Sequence, residues 1–99
     1  MGLRLNLHNL LLTFTTNVYF QPPPNVQLKY PCIIYKRDNA DTRFADDKPY
    51  THMLRYMITI IDRNPDSNIP AKVASMPMSM FNRFYTADSL NHDVYNVYF

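Results

Sequence analysis

The apolar positions of this chain change period several times, and each change marks a predicted element. Leu3, Leu7, Leu10, Leu11 and Phe14 recur at the spacing of one helical face. Leu5 and Leu12 lie off this stripe, so the helix would carry a second apolar edge beyond what one sheet face can cover. Thr15, Thr16 and Asn17 are poor mid-helix residues and close it. Val18-Tyr19-Phe20 reads as a short strand, stopped by Pro22-Pro23-Pro24, whose missing donors and stiff extended geometry make a loop.

A second strand is predicted from Tyr30 to Lys36, with Pro31 near its start, where a lost donor is tolerated. The segment from Arg37 to Pro49 is polar and charged in both signs. It separates two strands, which predicts a long hairpin with a projecting tip, and Ala40 to Ala45 can extend either strand as a ribbon. The third strand, His52 to Ile61, alternates a wholly apolar set (Leu54, Tyr56, Ile58, Ile60) with a half-apolar one (Arg55, Met57, Thr59, Ile61). One face therefore meets a core and the other is partly covered.

Asp62 to Ser67 has turn chemistry, and Asp66 or Ser67 suits a helix N-cap. Ile69, Val73 and Met76 then mark a short helix that Pro77 ends. Two closing strands are predicted, Phe81 to Asp88 and Asp93 to Phe99. The expected fold is α/β (α+β), in one domain spanning residues 1–99. It is a small mixed or antiparallel sheet of four to five strands with two short helices on one face, in the order α-β-β-β-α-β-β.

Composition removes several function classes. A single Gly rules out a glycine-rich phosphate loop. The net charge of +2, with no basic run longer than Lys36-Arg37, lacks the clustering expected of a nucleic-acid module. Cys32 has no partner for an internal disulfide and sits in an apolar run, which predicts a buried structural thiol. Arg4, Asn6, His8 and Asn9 break the N-terminal apolar stretch, so neither a signal peptide nor a membrane span is expected, and the chain reads as a soluble product assembled inside a cell.

His8, His52 and His92 show no metal-ligand spacing, and Asn91-His92-Asp93 sends its neighbours to opposite strand faces. Asp46-Asp47 and Asp62 with Asp66 lie in polar turns, where Asp serves as cap or turn former. No catalytic, cofactor-binding or metal-binding residue is assigned, and no enzyme is expected. The stronger signal is aromatic. Phe81, Phe84, Tyr85, Tyr95, Tyr98 and Phe99 place rings on both faces of the closing strands, more than one helix-covered face can bury. Such surface predicts an oligomer.

Three runs carry a family resemblance: Tyr30-Pro31-Cys32-Ile33-Ile34-Tyr35, then Arg55 to Ser67, then Arg83 to Asp93. Together they resemble small neck and tail-completion proteins of long-tailed bacteriophages, of the tail-terminator kind. The resemblance extends from Val18 to Phe99 and rests on the order and wording of strands. It implies a helix, a three-stranded meander, a second helix and closing strands. It further implies a hexameric ring that caps the finished tail tube and offers its other face to the head connector.

The implied partners are other copies of this chain, the tail tube protein and the head connector or stopper protein. DNA would pass through the lumen without specific binding, and no membrane or cofactor is involved. The implied location is the neck of the virion, after assembly in the host cytoplasm. Ring contacts would fall on the hairpin (Arg37, Asp38, Asp41, Arg43, Phe44, Asp46, Asp47) and on the closing strands (Tyr95, Tyr98, Phe99). The short chain and brief first helix also fit a head-side stopper-type neck subunit. A small host-directed adaptor or inhibitor fits the size as well.

Overall fold

Apolar periodicity at the chosen steps becomes α1 (Arg4–Leu12), β1 (Val18–Phe20), β2 (Cys32–Ala45), β3 (Lys48–Asp62), α2 (Ile69–Ala74), β4 (Ser79–Ala87) and β5 (Leu90–Tyr98) in a computed structural model. The structure describes residues 4–45 and 48–99, and for 41–45 and 48–53 the backbone alone. The described residues form an α+β architecture, one five-stranded sheet with two short helices, in the order expected from the sequence.

The strands lie side by side as β1-β2-β3-β5-β4. β1 runs parallel to β2, with Val18 opposite Ile33 and Phe20 opposite Tyr35, and every other pairing is antiparallel. The first three strands are therefore not the antiparallel meander that the resemblance implies. The loop from Gln21 to Pro31 carries the chain back to start β2 in the same direction as β1.

Both helices lie over one face. Leu7 and Leu11 of α1 pack with Ile33, Tyr35, Tyr56, Ile58, Ile60, Tyr95 and Val97 of the sheet, and Ile69, Val73 and Met76 of α2 join the same core. Leu10 and Phe14 complete the α1 stripe as half-buried residues, while Leu5 and Leu12 stay exposed, as their off-stripe positions require. Leu3 lies outside the described residues. α2 is preceded by Asn68 rather than by the expected cap residues Asp66 or Ser67, and the Ser67 hydroxyl accepts from the Ile69 N–H at 3.3 Å. Pro70 sits in its first turn, where no donor is needed.

The predicted Asp62–Ser67 turn is built from side chains that mimic backbone. Asn64 N–H donates to Asp62 Oδ1 at 3.0 Å, and Asp66 N–H to Asn64 Oδ1 at 3.0 Å. β4 and β5 are joined through Asp88 and Ser89, both at positive φ (53° and 62°). That twist matches the strands, and Asp and Ser adopt it here without glycine.

Among the described residues no helix covers the opposite sheet face. Its residues include Cys32, Ile61 and Val94, which are buried, and Ile34, Met57 and Thr59, which are half-buried. Cys32 has no exposed surface, and burial first and the charge of Asp62 second push its thiol up to about 11 from 9.0. Among the described residues no helix is long and apolar enough to cross a membrane.

The central hairpin is long, and its strands run beyond the predicted bounds of Tyr30–Lys36 and His52–Ile61. β2 and β3 continue as a paired ribbon to Ala45 and Lys48, so most of the segment from Arg37 to Pro49 is strand. β5 accompanies β3 only from Arg55 onward, which leaves the outer ribbon two-stranded. The molecule measures 51 × 26 × 23 Å, with a radius of gyration of 14.6 Å. A compact domain of this length has about 13 Å, so the ribbon stretches it.

Two measurements check this core. Ile58 is fully buried, and Ile58→Ala should cost about 2–5 kcal/mol in a urea melt. Cys32 should resist Ellman's reagent until denaturant is added. Its pH effect has a definite sign. Well below pH 9 the thiol is protonated in folded and unfolded chains alike and adds no slope. From pH 9 to about 11 the unfolded thiol ionises while the folded one keeps its proton, so stability should fall as pH rises. The loss is on the order of 2 kcal/mol, and Cys32→Ala should flatten that part of the pH profile.

Candidate interaction surfaces

β4 is the last strand of the sheet, and it places large apolar or aromatic side chains on both faces. From Met80 to Ala87 every residue is exposed. Four large apolar side chains stand in solvent there: Met80 at 65% exposure, Phe81 at 58%, Phe84 at 52% and Tyr85 at 39%. Phe81 is opposite Tyr95, and the two rings meet edge-on with centroids 5.5 Å apart, on the helix-covered side. Phe84 is opposite Asp93 on the same side. Burial raises the Asp93 carboxyl above its usual range, and the neighbouring His92 opposes the shift.

On the helix-free side, Tyr85 stacks on His92 at 4.5 Å with the rings 13° from parallel. The Arg83 guanidinium lies 5.3 Å from the Tyr85 ring. A guanidinium over an aromatic face is attracted by the ring quadrupole. The rings of Phe81 and Tyr85 thus each contact an aromatic residue of β5.

A chain of polar side chains crosses the helix-free face at the root of the ribbon. The register shifts between Arg37 and Asn39 and again between Phe81 and Arg83, which leaves Asp38 and Asn82 as the extra residues of two bulges. Arg55 grips Asp38 with two bonds, Nε to Oδ1 at 3.0 Å and Nη2 to Oδ2 at 3.2 Å. Asn96 donates to Asp38 Oδ2 at 3.1 Å, and Asn82 donates to Asn96 Oδ1 at 2.7 Å. The network thus links β2, β3, β5 and β4 in one line. The bond to Asp38 pushes the Arg55 guanidinium further above its ordinary range.

The residues expected at ring contacts separate into three groups. Arg37 is exposed, and its N–H donates to Gln21 Oε1 at 3.4 Å, while Asp38 belongs to the polar line just described. Asp41, Arg43 and Phe44 are ribbon positions whose backbones pair with Met53, Thr51 and Pro49, and Asp46 and Asp47 lie outside the described residues. On the closing strands Tyr95 is in the core with 8% exposure, because β5 is flanked by β3 and β4. Tyr98 and Phe99 are half-buried, and Phe99 packs against the core. The exposed aromatic surface of the closing strands is therefore β4, and Tyr95 is corrected from surface to core.

Sequence reasoning named Phe81, Phe84 and Tyr85 as aromatic surplus but placed the contact on the strand that turns out to be interior. It missed the polar line altogether. The available signal was the polar pair Asn82-Arg83 set between two apolar pairs, Met80-Phe81 and Phe84-Tyr85, at the position of the bulge. Among the described residues no group of three His, Cys, Asp or Glu side chains gathers as a metal site.

The polar line makes a coupling prediction. Asp38→Ala strands both Arg55 and Asn96, so its effect should not add to that of Asn96→Ala in a double-mutant cycle. Asp38→Ala with Lys72→Ala, a pair that shares no partner, should add to within about 0.5 kcal/mol. Full additivity of the first pair would remove the network as a unit.

No protein family, no curated protein and no solved structure matches this chain.

Proposed function

We propose that this chain is a structural assembly subunit of a long-tailed bacteriophage particle. In this reading its copies form a ring, six in number, at the head–tail junction. The ring caps the tail tube and joins it to the head connector. The observation that carries the assembly reading is the β4 edge, open along its length and lined on both faces by large apolar side chains. A small domain with such a surface is completed by another chain.

The ribbon supports the same reading. A two-stranded arm lengthens the 99-residue domain to 51 Å, and β5 does not accompany its outer part. Six copies closing head to tail need two different complementary patches on each copy. The β4 edge is one candidate and the ribbon is the other. The placement at the phage neck rests on the resemblance of the three sequence runs quoted above. Capping needs no bond chemistry, since a ring that occupies the last tube layer covers the surface the next tube subunit requires. The modest net charge of +2 suits passage of DNA through a lumen better than grip.

Deletion of the coding sequence tests the placement. Loss of a terminator should give over-long or ragged tails beside DNA-filled heads in electron micrographs. Heads that leak DNA beside free tails of normal length would instead identify a stopper-type subunit. Normal particles would remove the chain from the neck and favour a host-directed adaptor.

A further inference from the structure

We propose that two copies of the free protein pair their β4 strands antiparallel about a two-fold axis at Phe84, giving one continuous sheet that contains both copies' five strands. This goes beyond the neck reading, because it concerns the chain before any other protein is present.

The backbone fixes which groups are offered. Ala87 and Leu90 flank a two-residue turn with both central φ angles positive, so they form the hydrogen-bonded pair that closes the hairpin. Pairs alternate along an antiparallel ladder, so Thr86 and Phe84 turn their N–H and C=O groups away from β5. An incoming strand centred on Phe84 meets the Phe84 groups in phase, while Thr86 falls opposite the bulge residue Asn82.

The side chains choose the register. With the axis at Phe84, like faces of the two sheets coincide. Phe84 meets Phe84 of the second copy on the helix-covered side, an aromatic cross-strand pair. On the helix-free side Arg83 of each copy meets Tyr85 of the other. Arg83 already lies 5.3 Å from its own Tyr85 ring, so pairing extends a contact each copy makes alone. An axis at Arg83 would set two guanidinium groups directly opposite one another, which is unfavourable. An axis at Tyr85 would leave Phe84 opposite Thr86 and Arg83 opposite Ala87, with neither contact made.

β4 also lacks the usual protections of an edge. Between Ser79 and Ala87 it has one charge, Arg83, and no Lys or Pro. The bulge at Asn82 bends the strand and limits ideal pairing to its C-terminal half. The exposed parts of Phe84 and Tyr85, the large apolar residues of that half, amount to roughly 180 Å² per copy, taking about 200 Å² for a large side chain. A standard interface buries about 800 Å² per partner, so this apolar part supplies about a quarter, and strand backbone and flanks supply the rest. The size fits a reversible, concentration-dependent dimer.

Sedimentation of the purified chain over a concentration series should show monomer and dimer in exchange. Phe84→Lys places two like charges across the axis and should weaken dimerisation about tenfold or more. Phe84 is exposed, so the melting of the monomer should be unchanged. Paired positions in a hydrogen-bonded register have Cα atoms about 5.5 Å apart, within disulfide range. Phe84→Cys should therefore oxidise to a covalent dimer, whereas Thr86→Cys, whose opposite residue is Asn82, should not. Buried Cys32 should take no part. A wild type monomeric at every concentration, a dimer indifferent to Phe84→Lys, or equal cross-linking at both positions would overturn the pairing. A purified hexamer would also overturn it and leave the neck reading standing. A dimer formed by a chain whose deletion leaves phage particles normal would do the reverse.

Discussion

Tyr35 stands in the middle of the helix-covered face with none of its surface exposed, and its hydroxyl must find partners there. Both come from α1. Arg4 Nη1 donates to the hydroxyl at 3.1 Å, and His8 Nδ1 lies 2.7 Å from it. Arg4 also sits 4.5 Å from the ring of Phe20, which packs on Tyr35 at 4.9 Å. The ring of Tyr35 in turn meets Tyr56 edge-on at 6.0 Å. One buried phenol thus fixes how α1 lies, couples it to β1, β2 and β3, and leaves Leu5 and Leu12 outside. Burial raises the pKa of this hydroxyl, and the Arg4 bond opposes the shift.

With α1 committed over Tyr35 and α2 a helix of six residues, β4 is left exposed from Met80 onward. The remaining edge and the second sheet face must be managed by other means. On the second face that means is polar. The line from Asp38 to Asn82 ties four strands by direct side-chain bonds where no layer of helices presses on them. The two bulges are what make the line possible, because an extra residue turns the side chains of Asp38 and Asn82 onto the face that Arg55 and Asn96 already share. At the edge itself no comparable device exists beyond the single bulge, and the aromatic rings stand open.

Much of the fold could be read from the residues, because the core obeys simple periods. The Leu7–Leu11 spacing, the Tyr56-Ile58-Ile60 alternation and the Ile69-Val73-Met76 stripe each describe a face that the structure buries. The outer ribbon was less visible, since a two-stranded ribbon satisfies its backbone by pairing and needs no apolar alternation to do so. Asp38, Asn39 and Asp41 read as loop chemistry while their backbones lie within a strand. The parallel placement of β1 was hidden for another reason, because three residues carry no sign of their direction. The surface was half legible. Composition revealed an excess of rings, but only the order β3-β5-β4 decides that Tyr95 is inside and Phe84 outside. Strand order depends on which hairpins dock, and that is a property of tertiary packing.

The strand order also bears on how the chain reaches this state. β2 with β3, and β4 with β5, are hairpins between neighbours in sequence, and such local pairs close on the scale of microseconds. The β3–β5 seam joins residues such as Ile58 and Tyr95, far apart along the chain, and must wait for a larger loop to close. Throughout that wait the β4–β5 hairpin drifts with its apolar rings unsheltered, and docking shelters β5 alone. β4 is thus equally available to wrong partners before and after folding, so the yield of native protein should depend on how crowded its birthplace is with copies of itself.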